Sequence, residues 1–135
     1  MSDNIKRHEF TSNHSCVDES EFAITVGFSR DPADESSIDG LLLQRGRNVQ
    51  DNTAGIGGVY VEIPIQRYVV YGGITKAILQ RKNFILRFNE ETARKMGGFY
   101  EILVSFDLSD DDFTKIRDGL RFVFSGCSCY REKVD

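Results

Sequence analysis

Residues 109–126 read SDDDFTKIRDGLRFVFSG, and this stretch decides how the C-terminal third of the chain folds. Its large apolar residues recur at helical spacing, at Phe113, Ile116, Leu120 and Phe124. They form one apolar stripe, so the stretch predicts an amphipathic helix that lies across a sheet. Ser109 is placed to cap the start of this helix, aspartates fill its first turn, and Gly126 ends it.

Upstream of this helix, short apolar segments have the alternation or the bounding turn residues that are typical of strands. In residues 21–29 large apolar side chains alternate along one predicted strand face, at Phe22, Ile24, Val26 and Phe28. Further strands are predicted at residues 40–45, 59–63, 68–71, 77–80, 84–88 and 99–106. A short helix is predicted from a cap at Asn89 through Met96. This order indicates an α+β domain with a mainly antiparallel sheet, a short helix, and a C-terminal helix packed on one face.

The chain has 135 residues, which is close to the length of one ordinary domain. Residues 1–20 are polar without a sustained period and predict a flexible N-terminal arm or an edge extension. We expect a single α+β domain over residues 21–126 and a C-terminal tail over residues 127–135. Within the domain, residues 46–58 hold four glycines and predict a long flexible connection.

The net charge is −4, from 17 basic and 21 acidic residues. An acidic chain lacks the basic footprint of nucleic-acid binding proteins, and no apolar run approaches the roughly 20 residues of a membrane span. We therefore expect neither a nucleic acid nor a membrane as partner. The N-terminus lacks the apolar region of a secretory signal, so a cytoplasmic location is expected. Residues 59–88 are basic within this acidic chain, and such separated charges can steer a charged partner.

The cysteines are the residues most suggestive of a metal or redox site. They are Cys16, Cys127 and Cys129. A structural zinc site needs four ligands, and the Cys-x-Cys pair at the C-terminus finds further ligands only in His8, His14 and Cys16. Those residues fall in the predicted arm, so we expect free thiols in a reducing compartment, no metal and no cofactor. A metal site or a labile disulfide is the alternative.

No catalytic constellation is visible in the sequence. Both histidines lie within the first 14 residues, so a serine or cysteine nucleophile would take its base from the arm, where catalytic geometry is hard to hold. The glycine-rich run at residues 55–58 precedes a strand, whereas the dinucleotide fingerprint follows one. We therefore expect a non-catalytic protein. A small enzyme with a carboxylate site is a third hypothesis beside the two given below.

Three short motifs carry a resemblance to a known family. They are Gly58-Val59-Tyr60-Val61-Glu62, Tyr71-Gly72-Gly73-Ile74, and Phe106-Asp107-Leu108 ahead of the terminal helix. Over about residues 21–125 the chain resembles the immunity protein 10 family of bacterial polymorphic toxin systems. The resemblance implies an α+β protein, encoded beside a toxin, that neutralises this toxin by direct binding in the producing cell. No catalytic residues come with the family.

The leading hypothesis is therefore a cytoplasmic immunity protein that occludes a cognate toxin stoichiometrically. The predicted contact residues are the acidic loop residues Asp31, Asp34, Glu35 and Asp39, together with Tyr60, Glu62 and Tyr71. An acidic surface suits a basic cleft on the toxin. The alternative is a homo-oligomeric structural or regulatory interaction module without catalytic activity, which assembles through a sheet edge or the glycine-rich connection. The sequence leaves the oligomeric state undecided, with a homodimer as one alternative.

Overall fold

The computed structural model describes residues 6–30, 39–47, 58–63 and 68–133. In these ranges the chain forms strands β1 (Lys6–Thr11), β2 (His14–Glu19), β3 (Ala23–Arg30), β4 (Asp39–Gly46), β5 (Val59–Ile63), β6 (Tyr68–Tyr71), β7 (Ile74–Gln80), β8 (Asn83–Phe88), β9 (Phe99–Ser105) and β10 (Tyr130–Lys133). Its helices there are α1 (Glu90–Lys95) and α2 (Asp110–Val123). The predicted α+β class is confirmed.

The described strands form two five-stranded sheets. The first has the order β1-β9-β8-β7-β10, with β1 and β10 parallel to their neighbours at the two edges. The second has the order β2-β3-β4-β5-β6, and all its neighbouring pairs are antiparallel. Most pairings are antiparallel, as predicted. The division into two sheets depends on distant pairings, such as Lys6 with Phe99, that leave no local signal in the sequence.

The core lies between the inward faces of the two sheets, and Phe28 of β3 connects them. Its ring packs against Phe84 of the first sheet, with centroids 6.0 Å apart, and against Phe106, with centroids 5.6 Å apart. Helix α2 packs its buried stripe on β2, β3 and β4 of the second sheet. Gly119 permits this close approach, because a Cβ there would lie 2.8 Å from Val26 Cγ2.

Capping hydrogen bonds confirm both predicted helix starts. The Ser109 hydroxyl accepts from the backbone N–H of Asp112 at 3.1 Å, and the Asn89 side-chain oxygen accepts from the backbone N–H of Thr92 at 2.8 Å. Each bond satisfies a backbone donor that has no partner within its own helix.

Phe22 lies outside the strand and is exposed, although alternation predicts that it shares a strand face with Ile24, Val26 and Phe28. Strand β3 begins one residue later, and Phe22 is 74% exposed, while the other three apolar residues of its predicted face are buried. The Ser20 hydroxyl accepts hydrogen bonds from the backbone N–H groups of Phe22 and Ala23, at 3.1 and 3.0 Å. This turn precedes the strand and separates Phe22 from the buried face.

Residues 6–19, for which the sequence predicts a flexible arm or an edge extension, contain the edge strands β1 and β2. Ser12 and Asn13 join the two sheets between these strands. The backbone N–H of Ser12 donates to Ser105 O at 2.7 Å, and the backbone N–H of Asn13 donates to Ser29 O at 3.0 Å. An edge strand buries few side chains, and Phe10 is the buried residue of β1. The polar composition that favoured an arm is therefore compatible with the edge extension.

Residues 130–133 of the predicted tail form β10 and extend the first sheet. The Tyr130 ring stacks on Phe124 with centroids 5.3 Å apart, and its hydroxyl donates to Glu132 at 2.8 Å. Arg121 of α2 donates two hydrogen bonds to the same carboxylate, at 2.8 and 2.7 Å. These contacts fasten the C-terminal strand to the end of α2.

Cys127 and Cys129 form a disulfide, so the prediction of free thiols is wrong for this pair. The turn between α2 and β10 brings their Cα atoms to 5.4 Å, within the usual range for disulfides. Cys16 of β2 is free and exposed.

A carboxylate is buried on the outward side of the first sheet. Glu101 of β9 lies between β1 and β8, and its side chain is 8% exposed. It accepts hydrogen bonds from Arg7 Nε at 2.5 Å and from Arg87 Nε at 2.6 Å. Burial by itself raises the pKa of Glu101, but the bonds from Arg87 and Arg7 outweigh burial and hold the pKa below that of an ordinary glutamate.

Glu101→Gln should make the free energy of unfolding depend less on pH in the acid range. Because the pKa of Glu101 is lower in the folded protein than in the unfolded chain, its contribution is complete above the unfolded pKa of about 4.3. The contribution is lost as pH falls through the folded pKa. At neutral pH we expect the variant to lose about 1.5–3 kcal/mol, the range for a hydrogen bond to a charged group.

Urea unfolding of both proteins between neutral pH and about pH 3 checks this expectation, with the two curves converging at low pH. Glu9→Gln is the matched control, because it makes the same charge change at a side chain that is 58% exposed. Parallel curves for the wild type and Glu101→Gln would contradict the assignment.

Candidate functional site

The outward face of the second sheet carries the most exposed large hydrophobic side chains of the described residues. These are Phe22, Val69 and Tyr71, with exposed fractions of 74%, 44% and 67%. Tyr71 and Val69 belong to β6, and Phe22 lies in the turn ahead of β3. Together with Tyr60 and Glu62 of β5, these side chains are called the aromatic face below.

Strand pairing places the members of the aromatic face directly opposite one another. Tyr60 pairs with Tyr71 and Glu62 pairs with Val69. The two tyrosine rings meet edge to face with centroids 5.1 Å apart, a favourable geometry for aromatic pairs. The period of two along β5 keeps Tyr60 and Glu62 on the same side of the sheet.

The Tyr60 hydroxyl is fixed by an acid on its own strand. It donates to Glu62 Oε1 at 2.5 Å. This hydrogen bond, together with desolvation and the negative charge of Glu62, raises the pKa of Tyr60 to about 12. Tyr60 is therefore a neutral phenol at physiological pH, held in one orientation by Glu62.

Small residues on the central strands leave a hollow beside the tyrosines. Its volume is about 470 Å³, and it is lined by Phe22, Ala23, Gln44, Gly46, Gly58, Tyr60 and Tyr71. A second hollow of about 240 Å³ lies on the same face around Cys16, Gly27 and Leu42. Glycine within a strand often marks a place where another backbone approaches closely. The face can therefore receive protruding side chains or a chain segment of a partner.

A hydrogen bond separates the two hollows. Gln44 Nε2 of β4 donates to Thr25 Oγ1 of β3 at 2.8 Å. Thr25 and Gln44 belong to a row of residues that are paired across the strands of the sheet, and Asp18 is the charged residue of this row. The neighbouring row runs through Gly27 and Leu42, and its charged residue is Glu62. The charge on the two central rows is therefore negative.

The structure brings together three of the predicted contact residues, Tyr60, Glu62 and Tyr71. Asp31, Asp34 and Glu35 lie outside the described residues. Asp39 is the first residue of β4 and pairs with Arg30 of β3, but its side chain is outside the described part of the chain.

Sequence reasoning missed Phe22 and Val69 as surface residues. Its alternation with Ile24 predicts that Phe22 shares one face of a strand with Ile24, Val26 and Phe28. The outward position of Val69 depends on the pairing of β6 with β5. A polar turn residue two positions ahead of Phe22, Ser20, was the local signal available.

Other site chemistries receive no support within the described ranges. Over residues 6–30, 39–47, 58–63 and 68–133, no group of three or more His, Cys, Asp or Glu side chains is arranged to hold a metal ion. In the same part of the chain, no helix is long and apolar enough to cross a bilayer.

Comparison with known proteins gives one family. The family model described as immunity protein 10 matches residues 11–114, which is well over half of the chain. The match includes β2 and ends within the first half of α2, so it begins and ends earlier than the resemblance over about residues 21–125 indicated. Searches of curated proteins and of solved structures gave no match. Family membership implies an immunity function against a toxin. The chain belongs to the immunity protein 10 family.

Proposed function

We propose that this protein binds its cognate toxin stoichiometrically and occludes it through the aromatic face. The observation that carries the proposal is the concentration of exposed apolar side chains on one side of one sheet, at Phe22, Val69 and Tyr71. Family membership supplies the class of partner, a toxin. Immunity protein families are generally non-catalytic, so the proposed mechanism is binding alone.

Tyrosine and phenylalanine at the rim of a hollow are suited to anchor a partner. Aromatic residues are enriched among the few side chains that dominate interface energies, and they bury much area with little loss of rotamer entropy. Tyr71 is held against Tyr60, whose hydroxyl is already bonded to Glu62. The anchor is therefore organised before the partner arrives, which lowers the entropic cost of association.

The charge of this surface favours a basic toxin surface. Asp18 and Glu62 supply negative charge on the central rows, and residues 31–38, which connect β3 to β4, contain Asp31, Asp34 and Glu35. We propose that these acidic loop residues, with Asp39, add steering to the anchors of the aromatic face. Complementary charge raises association rates and suppresses wrong partners.

Tyr71→Ala is expected to weaken the toxin complex about 30-fold, the equivalent of about 2 kcal/mol for an aromatic anchor. Phe22→Ala should weaken it about tenfold. The toxin is the product of the adjacent reading frame, purified by co-expression with this protein. Calorimetric titration gives Kd, and rescue of growth gives the immunity phenotype.

Tyr100→Ala is the control, because this tyrosine belongs to the first sheet and not to the aromatic face. Thermal unfolding of each variant separates loss of binding from loss of fold. Equal affinities for Tyr71→Ala and the wild type would reject the aromatic face. A stable homo-oligomer that neither binds nor neutralises the neighbouring toxin would favour the interaction-module hypothesis instead.

A further inference from the structure

The outward face of the first sheet has an aliphatic centre. Ile78, Ile85 and Leu103 lie directly opposite one another on β7, β8 and β9, and each is partly exposed. Outward faces of antiparallel sheets normally carry polar side chains at such positions. Three aligned aliphatic residues in the middle of this face are therefore unusual for a surface that only contacts water.

Basic side chains surround this aliphatic row. By strand register they come from four of the five strands of the sheet, at Arg7, Lys76, Arg87, Arg131 and Lys133. The acidic residues among them are Glu9 and Glu101. The face is thus positively charged in a chain whose net charge is −4. It is called the basic face below.

Glu101 organises two of these cations. Arg7 and Arg87 each use Nε to bind its buried carboxylate, and their side chains remain 51% and 49% exposed. A hollow of about 640 Å³ lies beside the pair, bounded also by Thr75 and Tyr100. A guanidinium that is already oriented loses less freedom when it meets a carboxylate, and it can donate in a bidentate manner.

We propose that the basic face is a second docking surface, which binds an acidic surface of another protein with an apolar side chain at its centre. An aliphatic core inside a charged rim is the usual anatomy of a protein–protein interface. Single-stranded nucleic acid is bound by aromatic platforms, and the central row here is aliphatic. Two basic faces of identical copies repel each other, so a second copy docked face to face is disfavoured.

The basic face and the aromatic face point in opposite directions. The inward faces of the two sheets meet in one core, where Phe28 packs on Phe84. A toxin on the aromatic face therefore leaves the basic face open. The second interaction does not depend on the proposed function, and the two can fail independently.

The probe is a short peptide with one leucine flanked by glutamates on both sides. Its binding to the isotopically labelled full chain is followed by backbone amide shifts. We expect shifts centred on Ile78, Ile85 and Leu103. The double variant Lys76→Glu/Arg131→Glu should weaken binding at least about tenfold, and Ile85→Thr at least about threefold, because the two variants remove the rim charge and the apolar centre respectively.

Lys95→Glu/Lys115→Glu is the matched control, because it makes the same charge change on exposed helical positions away from this face. Affinity within about twofold of the wild type is expected for the control. The proposal is overturned by equal losses in the control, by full affinity in Ile85→Thr, or by no peptide binding. Tighter binding of an oligothymidine than of the peptide at this face would also overturn it.

Discussion

Phe28→Ala is expected to lower the free energy of unfolding by about 3–5 kcal/mol, the range for removal of a buried phenylalanine. Phe28 is 2% exposed and packs on Phe84 and Phe106. Its removal leaves a cavity at the place where the two sheets touch, and rigid strands on both sides limit how far the cavity can collapse. Chemical denaturation measures the loss, which is a large part of the roughly 5–15 kcal/mol that stabilises a typical domain.

Phe22→Ala is the control for this substitution, because it removes the same side chain from the beginning of the same segment. Phe22 is 74% exposed, so its removal should change stability by no more than about 0.5 kcal/mol. In toxin binding the order should be reversed. Phe22→Ala should have the larger effect there, because only the exposed phenylalanine is proposed to contact the toxin. A large loss of stability in Phe22→Ala, or a small one in Phe28→Ala, would contradict the assignment of core and surface.

Most of the secondary structure could be predicted from local features of the sequence. The stripe of α2, the caps at Ser109 and Asn89, and strands β5 and β6 follow from spacing and capping chemistry that act over a few residues. Edge strands β1 and β10 could not be predicted from local features in this way. Each is held by a parallel neighbour from a distant part of the chain, and each buries few side chains.

The candidate site was partly predictable for the same reason. Period two places Tyr60 and Glu62 on one side of β5, and both belong to a motif visible in the sequence. That Tyr71 meets Tyr60 depends on the register of β5 and β6. The basic segment at residues 59–88 supplies Lys76 and Arg87 of the basic face. Its other cations could not be predicted, because they come from strands whose order in the sheet is set by tertiary pairing.

The motif Tyr71-Gly72-Gly73-Ile74 combines a surface residue with a structural one. Tyr71 is exposed on the aromatic face, whereas Gly73 faces helix α1. Gly73 has a φ of 78°, and its carbonyl accepts the backbone N–H of Asn89 at 2.9 Å. A Cβ at this position would overlap Thr92 Oγ1 and lie 2.7 Å from Thr92 Cβ. The glycine therefore lets the β6–β7 turn pack against the start of α1.

Gly73→Ala is expected to lower the free energy of unfolding by about 2–5 kcal/mol. A side chain at positive φ costs about 1–2 kcal/mol, and overpacking against Thr92 adds about 1–3 kcal/mol. Gly126→Ala isolates the first contribution, because Gly126 has a φ of 79° and a Cβ there meets nothing within 4 Å. Urea denaturation should give a loss of about 1–2 kcal/mol for Gly126→Ala and a clearly larger one for Gly73→Ala. Equal losses would mean that the turn moves away from Thr92 at no cost in free energy. The positive φ alone would then explain why a glycine occupies position 73.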